Sequence, residues 1–290
     1  MEYLWIYLCV GASFFAALAW GLNGVFKAHP VRLGFYRSLF VTILLSPVLL
    51  IVDLPKDASF YWGFALVGVF GVLADMLFFN VVKHYKGSGP TRVLNLRVPL
   101  TVIAGWVLFP GSWDVVSSQG LTIELAIIGC LLVSLGALFF MTKNPVATKV
   151  LYLMAGPIAI YVSIDLLTKW LFTGKDLATS ATILSIWVVA LAMLVTAYFS
   201  ALVTKTPLVD KNEKTIKFSF IIMLSWLGVM VCKQLAMFYI PNPGYYALFI
   251  GLSCLWIMAY HKIKREKDES SPLAGMLLLL ATIILTLIVS

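Results

Sequence analysis

Apolar residues in this chain come in long, nearly unbroken runs. They do not show the strict alternation or the three-to-four spacing of elements half-buried against water. Ten runs, 3–26, 31–52, 60–82, 93–110, 121–141, 149–172, 182–203, 216–240, 245–260 and 273–289, are each about long enough to cross the ~30 Å hydrocarbon core of a bilayer. Lipid offers no partner to an open backbone N–H or C=O, so each run is predicted to be a helix that bonds itself. The pattern therefore predicts an all-α polytopic membrane protein with ten transmembrane helices. Polar residues collect in short connections. The longest, near 205–217 and 261–272, are basic and too small to build a core of their own. The first run is too long for a signal peptide, and the residues ahead of it carry Glu2 and no Lys or Arg.

Composition sharpens this reading. The chain is 61% hydrophobic and only 12% charged, with a mean hydropathy of +0.98, against roughly 25% charged residues in soluble domains. The net charge of +8 is distributed as topology, not as a nucleic-acid patch. The connections after spans 1, 3, 5, 7 and 9, with the helix ends beside them, hold fifteen basic residues between Lys27 and Lys267; the opposite side holds Lys56 and Lys175. The positive-inside rule puts the rich side in the cytoplasm and both chain ends outside. The expected location is the plasma (cytoplasmic or inner) membrane, with lipid headgroups as partners of most of these charges. Cys9, Cys130, Cys232 and Cys254 all fall within spans and read as packing residues. His29, His84 and His261 lie singly at helix ends, without metal-ligand spacing. No metal and no cofactor is implied.

Five spans and five spans also share a rhythm. AALAWGLNGVFK of the first span lies over IAIYVSIDLLTK of the sixth, which sets Asn23 on Asp165 and Lys27 on Lys169. GVLADMLFF of the third lies over GVMVCKQLAMF of the eighth, with Gly71 on Gly228 and Asp75 beside the Cys232–Lys233 step. Residues 1–145 and 146–290 then form two five-helix repeats. Five is odd, so the second copy runs upside down. Inverted-topology repeats are a transporter signature, with the binding site at their interface near the midplane.

On these residues the chain resembles the drug/metabolite transporter superfamily, in its ten-helix EamA-like branch. AWGLNGVFK in the first span, FYRSLF in the second, ALVGVFGVLADMLFFNVVKH in the third, LNLRVPLTVIAGWVLF with its mid-helix Pro99 in the fourth and IGCLLVSLGALFF in the fifth follow in the order of that family. The likeness is specific over about 16–140 and looser beyond. It implies two repeats around a central cavity, alternating access, and a cargo among amino acids, metabolites, sugars, nucleotide sugars, organic phosphates or drugs. Two departures stand out. The segment after span 4 reads FPGSWD, with Asp114 where many relatives carry a Glu, and the charge bias puts both ends outside where many relatives have them in the cytoplasm.

Six charged residues lie well inside the spans, where each costs several kcal/mol unless it is paired or faces water. Arg37 and Arg97 are near the cytoplasmic ends of spans 2 and 4 and can either snorkel or face inward. Arg97 stands two residues before Pro99, which frees a backbone carbonyl, and an Arg grips a carboxylate or phosphate with two prongs. Asp165 and Lys169 are four residues apart on one helix face, either a self-neutralising pair or a cation or proton site tuned by the lysine. Asp75 and Lys233 lie deepest, with no opposite charge at i±3 or i±4. They demand an interhelical partner, such as Asp165 for Lys233, or a ligand. Trp5, Trp62, Trp113 and Trp170 read as interfacial belt residues, whereas Trp20 and Trp226 stand where they can wall a cavity.

The function expected from these residues is secondary active transport of a small polar metabolite, anionic or zwitterionic because buried positive charge exceeds buried negative charge. Lys233, Arg97, Arg37, Asn23, Trp20 and Trp226 are the expected substrate-binding residues. Asp75, Asp165 and Lys169 are the expected carriers of a coupling proton or cation. One alternative is a multidrug organic-cation/proton antiporter, with Asp165 or Asp75 as the shared site and tryptophans stacked on flat cations. An alternative of another class, a membrane enzyme or receptor, would call for paired carboxylates or a His–Asp cluster at one membrane face, which the chain does not offer. No G-x-x-x-x-G-K-[ST] loop is present to drive transport directly with ATP.

Overall fold

The computed structural model describes residues 4–26, 29–85, 93–94, 96–118, 120–139, 148–174, 178–208, 213–264 and separate positions between 276 and 288. Among these residues all regular structure is helical. The helices are α1 (Leu4–Phe26), α2 (Pro30–Leu45), α3 (Ala58–Tyr85), α4 (Arg97–Leu108), α5 (Pro110–Ser117), α6 (Leu121–Phe139), α7 (Thr148–Phe172), α8 (Ala178–Val203), α9 (Glu213–Tyr239), α10 (Pro243–Gly251) and α11 (Ser253–Lys264). Helices occupy nine of the ten predicted stretches; the tenth is described only at scattered helical positions. Five segments are long and apolar enough to cross a membrane: Pro30–Leu50, Ala58–Phe78, Lys149–Phe172, Ala178–Val203 and Ile216–Tyr239.

Proline and glycine place the breaks. Pro30 opens α2 behind an extended His29, the arrangement a ring-locked φ favours at a first helical turn. Pro47 ends that helix early, so the second stretch finishes in a short 3-10 turn, Val48–Leu50. The fourth stretch stops at Phe109 because Pro110 starts a separate short helix. Gly174, at a φ of +74°, follows α7 in the left-handed conformation that glycine alone adopts cheaply. The ninth stretch divides at Leu252 into α10 and α11. Asn242 caps α10: its side-chain oxygen accepts the Gly244 N–H at 2.8 Å, while its amide donates to the Val102 carbonyl of α4 at 3.2 Å.

The helices pack in a definite order. α1 lies against α9, α3 against both α7 and α8, α2 against α8 and α9, and α4 against α10; lighter contacts join α1 to α10 and α4 to α7. Several of these approaches leave no room for a side chain. A Cβ on Gly68 would stand 2.6 Å from the Val189 carbonyl oxygen of α8, and one on Gly244 would overlap the Val102 backbone. Every residue of α10 is buried. The outer surface, by contrast, carries large apolar side chains such as Leu50, Ile51, Trp62, Tyr152, Phe199 and Val203. That much exposed apolar surface suits lipid and not water. The chain is an all-α membrane protein.

Belt residues divide. Trp62 and Trp170 are exposed, as an interfacial position requires, but Trp5 is 5% exposed and packs edge-on to Phe249. The belt assignment of Trp5 is thus corrected, because α10 covers that face of α1. Trp113 stacks edge-on to Trp106.

Candidate functional site

The interior charges meet in two groups of contacts that together draw on six helices. Arg37 of α2 donates to the Asp75 carboxylate of α3 at 2.9 Å, and the guanidinium lies 5.0 Å from the centre of the Trp226 ring of α9. The second oxygen of Asp75 accepts the Tyr161 hydroxyl of α7 at 2.8 Å. Over the other side of that tyrosine, Arg97 of α4 places its guanidinium 5.6 Å from the ring centre. A second group of contacts joins α10, α9 and α7: the Tyr246 ring of α10 lies 5.4 Å from the Lys233 ammonium of α9. Lys233 in turn holds Asp165 of α7 in a 2.6 Å ion pair.

Local sequence sets each of these positions. Tyr161 and Asp165 are four residues apart, so they share one face of α7 about one turn apart. Pro157 stands one turn before Tyr161, inside the helix, where it removes a backbone donor. Arg97 is the first residue of α4, and no side chain caps that helix start. Asn242 turns the chain into α10 and so delivers Tyr245 and Tyr246 to the interior.

Burial makes these charges costly unless they are matched. Arg37 and Arg97 are each 6% exposed, Lys233 is 8% exposed and Asp165 is 1% exposed. The snorkelling alternative for Arg37 and Arg97 is therefore set aside: both face inward. Two carboxylates answer two of the cations. Among the described residues no salt bridge reaches Arg97, and its Nε has no hydrogen-bond partner in the protein. Asp165 Oδ2 and both amide atoms of the fully buried Gln234 are likewise without partners. Orphaned groups of this kind each cost about 1–3 kcal/mol.

The Asp165–Lys169 pair is corrected. Lys169 donates instead to the Met237 carbonyl at 3.0 Å, near the end of α9, because Lys233 already holds Asp165. Asn23 and Trp20 lie on α1, and their side chains fall outside the described residues. Sequence reasoning missed Tyr161, Tyr246 and Gln234. Tyr161 carried a signal, the i−4 position to a buried acid; Tyr246 carried only its place after an Asn-Pro-Gly turn.

No protein-family model and no curated protein sequence matches the chain. Solved structures do resemble it. One, titled only "Crystal structure of protein", aligns over 96% of this chain and 98% of its own length with a TM-score of 0.64 at 17% identity. The two share a fold across their whole length.

Proposed function

We propose that this protein is a secondary active transporter of a small polar metabolite, anionic or zwitterionic, and a member of the drug/metabolite transporter superfamily in its ten-helix EamA-like branch. The observation that carries the reading is the buried chain Arg37–Asp75–Tyr161–Arg97, with Tyr246–Lys233–Asp165 beyond it, through α2, α3, α7, α4, α10 and α9. A protein that only fills a bilayer has no use for five charges turned inward, each of which costs free energy to keep there.

Helix packing supports the two-repeat architecture. On that reading α1, α2, α3 and α4 correspond to α7, α8, α9 and α10. Exchange of the halves turns the α1–α9 contact into α7–α3, α2–α9 into α8–α3 and α1–α10 into α7–α4, and all six occur. The contacts α2–α8 and α4–α10 map onto themselves. Residues 1–145 and 146–290 are then the repeats, with ten spans and the charged chain at their interface. The basic-loop bias supports a cytoplasmic membrane location with both chain ends outside.

The organic-cation alternative is disfavoured by the aromatic faces. Trp226, Tyr161 and Tyr246 already carry Arg37, Arg97 and Lys233, so a flat cation finds those rings occupied. Uptake or efflux in proteoliposomes, with radiolabelled metabolites of each charge class and with organic cations, tests the assignment. Flux of an anion or zwitterion that requires an intact chain supports it; flux of organic cations alone moves the protein to the antiporter class, and no flux of any solute rejects transport.

A further inference from the structure

Resting on the transporter reading, the charge balance of the interior narrows the cargo. Arg37 is matched by Asp75 and Lys233 by Asp165. Arg97 and Lys169 are left without a carboxylate among the described residues; Lys169 is half-buried and donates to the Met237 carbonyl, whereas Arg97 is buried with its Nε unpartnered. The fully buried cations and the two carboxylates that hold two of them thus carry one net positive charge, at Arg97.

That place suits an anion. Arg97 is only 6% exposed as a residue, and its Nε is unpartnered. Pairing with an anion would also remove the penalty of a buried lone guanidinium. Lys233 lacks these features, since its ammonium already makes a 2.6 Å ion pair.

We infer that Arg97, and not Lys233, anchors the cargo, and that the cargo is a small monocarboxylate with one net negative charge. A monoanion brings the fully buried set to neutrality, the cheapest loaded state in a low dielectric. A dicarboxylate would leave one charge buried and unmatched. A zwitterion's ammonium would find Asp165 Oδ2 open, but the charge of that carboxylate is already matched by Lys233, as that of Asp75 is by Arg37. The planar fork of an arginine matches the two oxygens of a carboxylate better than an ammonium does.

The test is thermal unfolding of the full-length protein in detergent at neutral pH, with benzoate, benzamide, succinate and phenylalanine as probes. Benzoate is expected to raise the unfolding temperature by at least about 2 °C at saturation, and the neutral, dianionic and zwitterionic probes are not. Arg97→Gln should abolish the benzoate shift. Arg97→Lys, which keeps the charge and so serves if the Gln variant fails to fold, should weaken benzoate about tenfold or more. The variant Tyr152→Phe, at an exposed outer position, should keep the shift. A benzoate shift that survives Arg97→Gln overturns the assignment to Arg97. A shift with phenylalanine or succinate but not benzoate overturns the monoanion class and leaves transport standing. Silence from all four probes, and from tetraphenylphosphonium added as a cation control, counts against both the inference and the transporter reading.

Discussion

The Tyr161 hydroxyl donates to Asp75 at 2.8 Å, and this bond ties α7 to α3 at the same carboxylate that holds Arg37 of α2. One acid therefore fastens three helices. Each oxygen of Asp75 has its own donor, so loss of either donor leaves a carboxylate that is only 25% exposed in its side chain short of a bond. Tyr161→Phe should cost about 1.5–3 kcal/mol, the range for a hydrogen bond to a charged group, read as a lower unfolding temperature. An unchanged unfolding temperature would mean that the bond contributes nothing net.

The Lys233–Asp165 pair is buried on both sides, and removal of one partner strands the other. Lys233→Met should destabilise by about 3–5 kcal/mol, and addition of Asp165→Leu should return most of that loss, because buried pairs are often replaceable by apolar residues of similar volume. The double-mutant cycle separates packing from transport. If the pair also couples cargo to a proton or cation, the folded double variant binds cargo but loses accumulation against a gradient.

The α4–α10 crossing depends on one side chain. Asn242 caps α10 and donates to the Val102 carbonyl while fully buried. Asn242→Ala should lose about 1 kcal/mol of capping and a further 1–3 kcal/mol for the stranded carbonyl. Asn242→Asp keeps the acceptor and loses the donor, so it should fall between wild type and alanine unless its charge dominates; chemical-denaturation midpoints in detergent rank the three.

Gly68 and Gly34 form a matched pair of controls. A methyl on Gly68 would meet the Val189 backbone oxygen, which has no side-chain freedom with which to yield, and Gly68→Ala should cost about 1–3 kcal/mol. A methyl at Gly34 meets nothing within 4 Å, so Gly34→Ala should be neutral or slightly stabilising. Equal behaviour of the two in an unfolding series would show that α3 and α8 do not approach so closely.

Most of the helical framework was legible from the runs of apolar residues, because lipid leaves a spanning backbone no other choice. Breaks were less so. Pro47, Pro110 and the Leu252 step shorten or divide stretches that hydropathy alone reads as continuous. Charges deep in spans marked the right neighbourhood, and the cost of a lone mid-span lysine pointed to Asp165 as a partner for Lys233. What the sequence did not reveal was which cation stays unmatched. Asp165–Lys169 is favoured by local spacing, yet a neighbouring helix places Lys233 closer. Partner choice among buried charges is set by packing between helices, and that information is not local. For the same reason Tyr246, which touches the chain from α10, had no periodic signal to announce it.

Every residue of α10 is buried, and at nine residues it is about 14 Å long, under half the thickness of a bilayer. Its apolar character is thus not an adaptation to lipid, which never surrounds it in the finished molecule. Such a segment has no stable berth until its neighbours are present. The order of synthesis meets that need: α1, α4, α7 and α9, which enclose it, all precede it along the chain. The biogenesis of this protein should accordingly be intolerant of any rearrangement that brings residues 243–251 out of the ribosome early.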